Sequence, residues 1–529
     1  MATRKTRKIA PAPEIEINPE FARALALMEA GECNVFITGR AGTGKSTLLE
    51  YFRANAREKP VVLAPTGVAA LNVSGQTVHK FFGFRIDVTP ETVRESRRKL
   101  RRPEIYKNLK TVIIDEVSML RADLLDCVDL FLRKHGPLRN ALFGGVQMIF
   151  VGDLYQLPPV VTGDEREIFR ELYETPYFFS ARALEGEDLE ILELEKVYRQ
   201  KDAAFVELLN RIRNNSVDED DVARLNERAD PNLKPPDSAF HVTLTTTNRN
   251  ADRINETKLA SLPGKRVVSS ASISGDFGRE YYPTATDLAF KAGAQIMMLN
   301  NDPAGRWVNG SIGAIESIER SKHGEDCLLA RLRDSGERVD VEPYTWDLIR
   351  FGIENGSIVS EPVGRFTQLP FRLAWAVTIH KSQGKTFEHV VIDLERGAFA
   401  AGQTYVALSR CTSFEGIVFS RPIRQSSIRA DWRIQKFLTG YRYRESEAAM
   451  SAEEKAAVIR GAIGRDAEIA MTYLKTNDTR SERVVIPISV GTETYRDKDF
   501  LGMRAFCTLR RDERMFRVDR ILKLEIRGD

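Results

Sequence analysis

Short apolar runs rich in β-branched residues recur along the chain, each closing on Gly, Asp, Thr or Pro and each followed by an amphipathic stretch. NVFITG (34–39), VVLAPTG (61–67), TVIIDE (111–116) and VQMIFVGD (146–153) come early; HVTLTTT (241–247), HVVIDL (389–394) and GIVFS (416–420) come later. Runs that do not alternate apolar with polar are buried on both faces, and strands separated by helical patterns are joined in parallel. The pattern predicts two α/β domains on parallel sheets, at residues 17–195 and 196–440, facing each other.

Other segments break this rhythm. Residues 83–109 insert a basic helical stretch into the first domain, which is either a solvated face or a working protrusion. Residues 291–365, rich in Gly and turn signals with runs such as CLLARLRD and ERVDVEPY, predict a small β-domain inserted into the second. An alanine- and charge-rich helical linker at 441–462 then leads to a separate β-rich module at 463–529, while residues 1–16 read as a basic, disordered tail.

Composition narrows the partners rather than naming them. With 529 residues the chain exceeds one core, and 42% hydrophobic with 29% charged residues is globular. A net charge of +3 announces no bulk attraction to nucleic acid, so any basic surface is local. The five cysteines have neither zinc nor disulfide spacing, which points to a reducing compartment. The N-terminal stretch lacks the apolar core of a secretory signal, and no apolar run is long enough to span a bilayer, so the expected location is the cytoplasm, with no membrane partner.

Chemistry enters at GRAGTGKST (39–47), which fits G-x-x-x-x-G-K-[ST] between a strand and a helix. In such a loop backbone N–H groups hold phosphates, the Lys (here Lys45) reaches the terminal phosphates and the hydroxyl of Ser46 holds magnesium. Asp115 and Glu116 end an apolar strand, where one carboxylate holds magnesium and the next orients or deprotonates the attacking water. Gln156, three residues past Asp153, is either a γ-phosphate sensor or a polar turn before two prolines. Arg199 and Arg410 are either charges supplied across a cleft to the γ-phosphate or surface salt bridges.

Taken in order, GRAGTGKST, APTGVAALNVSGQTVHKFF, DEVSM, GDLYQLPPV, VYRQ, WVNGSIG, AWAVTIHKSQGKT and GQTYVALSRCTS resemble the PIF (petite integration frequency) DNA helicases of superfamily one, over residues 18–435, with FGGVQ (143–147) matching the end of that family's signature. The resemblance implies two RecA-like phosphate-loop motor domains, ATP and magnesium in their cleft, and travel from five-prime to three-prime on single-stranded DNA. It implies phosphate binding by Gly39, Gly42, Thr43, Gly44, Lys45, Ser46 and Thr47, with Gly384 and Thr386 linking nucleotide to DNA. Asp115 and Glu116 would serve magnesium and water, Gln156 would sense the γ-phosphate, and Arg199 and Arg410 would be the arginine fingers. Pro65, Thr66, Thr77, His79 and His380 would lie on the DNA side, residues 83–109 would form a strand-separating wedge, and 291–365 a small barrel over the DNA. Phe81, Phe82, Tyr155 and Trp375 are either base-stacking surfaces or core.

The implied partners are single-stranded and forked DNA and replication or recombination proteins, with a monomer in solution at the bacterial nucleoid. Neighbouring readings are a RecD-like recombination helicase or a protein-stripping translocase; FGGVQ favours the PIF group. One departure is that Phe21, in INPEF, stands where many relatives carry an adenine-reading Gln, so selectivity for ATP over other triphosphates should be low. Residues 463–525 resemble a WYL domain, a small β-barrel, although LGM (501–503) replaces the namesake tripeptide. Arg504, Arg510, Arg514, Arg517 and Arg520 alternate there with apolar residues, which predicts several guanidinium groups on one face, as a DNA contact or a salt-bridged surface. A ligand-regulated ATPase switch is the reading from another class.

Overall fold

The computed structural model describes residues 16–161, 165–187, 189–200, 202–233, 240–320, 326–354, 357–394, 397, 400–475, 480–495 and 498–527; all of the expected basic tail but Glu16 lies outside them. Two compact units emerge, one of residues up to Leu209 with Val217–Arg429, the other of Asn210–Ser216 with Ala430–Asp529. Among the described residues no helix is long and apolar enough to cross a membrane.

The first unit carries two parallel sheets. β1 (Asn34–Gly39), β2 (Val61–Ala64), β3 (Gln76–Thr77), β4 (Thr111–Ile114), β5 (Gln147–Val151) and β6 (Leu189–Leu194) lie in the order β3-β2-β4-β5-β1-β6, with every ladder parallel. Val35, Phe36, Ile37, Val62, Ile113 and Ile149 are fully buried or nearly so, as strands covered on both faces require. Local chemistry sets the ends of α1 (Pro19–Ala30): Asn18 Oδ1 accepts from Phe21 N at 2.8 Å, Pro19 opens the first turn, and Gly31 at φ 71° stops it. The second sheet has β7 (Val242–Thr245) between Ala376–Thr378 and Val390–Asp393, with Ile417–Phe419 outside, again all parallel.

The inserted β material is larger than the 291–365 expected. It begins at strand Val267–Ser270, and Ser272–Gly275 pairs with Ser357–Gln368, itself paired with Tyr344–Glu354. A second ladder runs through Gln295–Met298, Ile312–Arg320, Asp326–Leu332 and Arg338–Val341. SISG is short and exposed at all four positions, and its one apolar residue, Ile273, makes no run that predicts a strand. The insertion docks tightly on the first domain: a Cβ on Gly67 would fall 2.2 Å from Glu280 O, and Gln76 Nε2 donates to Ile349 O at 2.7 Å.

Within 83–109 only Pro90–Glu95 and Pro103–Lys107 are helical, and the flanking aromatics are core. Phe82 is 3% exposed, with ring centroids of Phe81, Phe84 and Phe131 at 4.9, 5.4 and 5.3 Å; Tyr155 and Trp375 are buried too. The stacking alternative is therefore closed for these four side chains as they stand.

In the second unit five antiparallel strands run in the order 512–517, 498–507, 480–495, 469–474, 521–526. A small barrel was expected; the ladders leave 512–517 and 521–526 as edges. The linker expected at 441–462 is instead the end of helix Trp432–Ala449 followed by Ala452–Gly464, whose Ile459 and Ala462 enter the sheet's core, so the division falls at Ala430. Lys455 is buried there, its Nζ 2.7 Å from Ser446 Oγ, which bonds Ile521 O at 3.0 Å. The expected common arginine face is only partly present. Register puts Arg504, opposite Met515, and Arg517, opposite Gly502, on one face, whereas Arg514, opposite Ala505, has the other parity. Arg510 sits in the turn, Arg520 in a 3₁₀ turn, and Arg517 is ion-paired with Asp519 at 2.6 Å.

Because Phe82 holds an aromatic cluster together, Phe82→Ala should cost about 3–4 kcal/mol of stability, read as a lowered urea midpoint. DNA affinity of the folded fraction should be unchanged; weakened affinity at undiminished stability would restore the stacking role.

Candidate nucleotide site and nucleic-acid face

The phosphate loop follows β1, and α2 (Lys45–Asn55) begins directly after Gly44 at φ 86°. A Cβ on Gly42 would fall 2.5 Å from Arg199 Cβ, and one on Gly39 would fall 2.7 Å from both Leu194 O and Thr43 Oγ1, so the curl accepts no side chain at either place. Lys45 Nζ lies in this curl, donating to Gly39 O at 2.7 Å and Arg40 O at 2.9 Å. Ser46 and Thr47 are exposed at the helix start, where N–H groups and dipole favour an anion. Phe21 is buried against Gly44, its ring 3.0 Å from where a Cβ would be, and no amide stands in its place.

The acidic residues gather at the carboxyl ends of neighbouring strands, the edge where open α/β sheets bind ligands. Asp115 and Glu116 follow β4 and Asp153 follows β5. Burial is the main cause that raises both Asp115 and Glu116; the Asp115 and Asp153 charges push Glu116 further, to about 7, against the pull of Lys45 and Arg410. Glu116 also takes a left-handed backbone, φ 51°, a strain of a kind found at functional sites. Gln156 is buried, and its Oε1 accepts from Gln383 Nε2 of the KSQGKT segment at 3.4 Å.

The second sheet contributes Arg410, which meets Arg199 from the segment after β6. Arg410 is 1% exposed; its Nε donates to Val406 O at 3.0 Å and its Nη2 to Ser409 Oγ at 2.8 Å, while Arg199 Nη1 donates to Ser409 O at 3.2 Å. Neither is ion-paired among the described residues, which removes the surface salt-bridge alternative. Burial and the neighbouring Arg199 lower Arg410 to about 9. One buried and one half-buried guanidinium group, neither ion-paired with a carboxylate among the described residues, favour an anion between them. Gly384, at φ 73° in open space, and exposed Thr386 flank Lys385, whose Nζ donates to Asn309 and whose carbonyl lies 3.5 Å from Arg410 Nη1.

On the adjoining face Pro65 and Thr66 follow β2, and Thr66 caps α3 (Gly67–Asn72), accepting from Ala69 N at 3.3 Å. Thr77 caps α4 (Val78–Phe82) but is 8% exposed, its hydroxyl 2.8 Å from Tyr281 OH of the insertion; docking of that domain takes the side chain expected to be open. His79 and His380 are half-buried, and burial lowers both. Motif spacing did not single out Gln200, whose Nε2 donates to Ser409 O and Cys411 O at 3.1 Å each, nor Gln383 and Tyr405; all three stand inside the recognised motifs.

Phosphate loop, strand-end carboxylates, Arg199 beside the loop and Arg410 from the second sheet define a two-domain ATPase. A family model described as PIF1-like helicase matches residues 22–223, and one described as WYL domain matches 454–526. The ATP-dependent DNA helicase Pif1 of Bdellovibrio bacteriovorus is 34% identical over 422 residues, 77% of this chain and 88% of that protein. The crystal structure of Bacteroides sp Pif1 with ADP-AlF4 is 34% identical, covers 81% of this chain and 97% of its own, and superposes with a TM-score of 0.73. The Bacteroides Pif1 structure bound to single-stranded DNA, with the same identity and coverage, gives 0.58. The chain belongs to the PIF1-like family of ATP-dependent DNA helicases, with a WYL domain at its C-terminal end.

Glu116→Gln should keep nucleotide binding and lose turnover by about 100-fold or more, the scale of removing a positioned proton acceptor, whereas Lys45→Ala should weaken binding itself. Fluorescent-nucleotide titration beside a phosphate-release assay separates the two; near-normal release by Glu116→Gln would remove that carboxylate from the chemistry.

Proposed function

We propose that this helicase moves five-prime to three-prime along single-stranded DNA and separates forked duplex, its two parallel sheets acting as RecA-like motor domains. The observation that carries the reading is buried Arg410, brought by the second sheet beside half-buried Arg199 at the phosphate loop, with neither ion-paired to a carboxylate among the described residues. Such a charge is neutralised when a γ-phosphate enters, so hydrolysis depends on closure of the cleft. Gly39, Gly42, Thr43, Gly44, Lys45, Ser46 and Thr47 hold the phosphates, Glu116 acts on the attacking water, and Gln156 passes nucleotide state to the KSQGKT segment through Gln383. Asp115 and Ser46 suit magnesium, since three carboxylates lie near one ammonium; the ion, when bound, neutralises phosphate charge. With Phe21 under the loop instead of an amide, other triphosphates should also serve.

On the DNA side Pro65, Thr66, His79 and His380 offer backbone, hydroxyl and imidazole groups that contact phosphates without reading sequence, as a stepping motor requires. The structure of the Bacteroides relative bound to single-stranded DNA supports binding of such a strand. Residues 83–109 serve as the wedge; Ile86, 98% exposed between Arg85 and Asp87, is its tip. We read the chain as a monomeric cytoplasmic protein of the nucleoid that meets replication or recombination proteins at forks. In the C-terminal module Arg504, Arg510, Arg514, Arg517 and Arg520 add local phosphate contacts.

Duplexes with matched five-prime or three-prime tails test the polarity: unwinding should need the five-prime tail, and equal unwinding of both would refute it. Arg504→Gln with Arg514→Gln, neither of them ion-paired among the described residues, should weaken single-stranded DNA binding and reduce the salt slope by about 1.4. An unchanged slope would make the module a ligand or protein sensor.

A further inference from the structure

One side chain on the second sheet's wall of the cleft has a geometry the reaction so far leaves unused. Helix Gln403–Ser409 is buried at all seven positions, and Tyr405 within it is 4% exposed. The Tyr405 hydroxyl accepts from Ala41 N of the phosphate loop at 3.2 Å and donates to Asp153 Oδ2 at 3.1 Å. A phenol carries one hydrogen and two lone pairs, so both bonds form together. Asp153 Oδ1 accepts from Tyr155 N at 3.2 Å, which leaves this carboxylate anchored at both oxygens. Its charge is one of those that raise Glu116.

The same helix is seated with little tolerance. A Cβ on Gly402 would lie 2.4 Å from Gln156 O and 2.5 Å from Tyr155 O, so its first turn rests on the backbone of the segment carrying the γ-phosphate sensor. Its last turn holds Arg410 through Val406 O and Ser409 Oγ. One short rigid element therefore carries the arginine, a contact to the phosphate loop and a contact to Asp153. Separating the two sheets would break both tyrosine bonds in the movement that withdraws Arg410.

We propose that Tyr405 is a positioning residue for ATP hydrolysis: its hydroxyl sets the phosphate loop at Ala41 and the carboxylate of Asp153 only when the cleft is shut with Arg410 in place. Tyr405 acts through these groups and moves no proton to the substrate. The inference rests on the ATPase reading of this cleft.

Tyr405→Phe in the full chain keeps the ring and removes the hydroxyl. Steady-state hydrolysis with saturating single-stranded DNA should show kcat lowered about tenfold or more, with KM for ATP and the melting temperature little changed, as expected when an interaction matters for the transition state and not for binding. Because one bond joins the two side chains, Asp153→Asn added to Tyr405→Phe should cost less than the product of the single effects. An unchanged kcat in Tyr405→Phe, a kcat lost in parallel with melting temperature, or fully multiplicative effects with Asp153→Asn would each overturn the proposal. Wild-type protein without DNA-stimulated hydrolysis would instead overturn the motor reading beneath it.

Discussion

Burial of charge in one cleft is the constraint on which the working part of this molecule depends. Asp115, Glu116 and Asp153 stand at the strand ends of the first sheet beside Lys45 at the start of α2, and Arg199 and Arg410 lie near them without an ion pair among the described residues. Desolvation makes each charge costly alone and each interaction strong when matched. The raised Glu116 and lowered Arg410 are two sides of that imbalance, and a nucleoside triphosphate brings the anionic charge that meets the arginines.

Close packing turns this electrostatic situation into a mechanical one. Gly42 against Arg199, Gly402 against Gln156 and Gly67 against Glu280 leave no room for a methyl group, so the pieces fit in one arrangement or separate. Gln383 with Gln156, and Arg410 with the Lys385 carbonyl, tie the KSQGKT segment to the residues gathered around the phosphate loop.

The C-terminal unit follows different rules. Its antiparallel sheet buries Ile469, Val485, Met503 and Phe516 under helix Ala452–Gly464, and Ser451 with Glu454 forms the capping box that starts this helix. Its surface keeps Phe506 partly and Leu509 largely exposed, with Arg510 next along the chain.

The strands of both sheets were legible because strands buried on both faces need continuous apolar runs, and the phosphate loop because its glycines answer to backbone geometry within a few residues. The motifs around Gln156, Arg199 and Arg410 were legible as types of residue, with their roles left open between function and surface. Strand Ser272–Gly275, the capture of Thr77 by Tyr281, the packing of 452–464 and the split of the arginines between faces were not legible. Sequence by itself determined local geometry, hydrophobic periodicity and the inventory of reactive groups, since these depend on neighbours along the chain. Only the tertiary structure decided which arginine lacks a counter-charge and which tyrosine bridges residues 41 and 153, because burial and pairing are properties of groups hundreds of residues apart meeting in space.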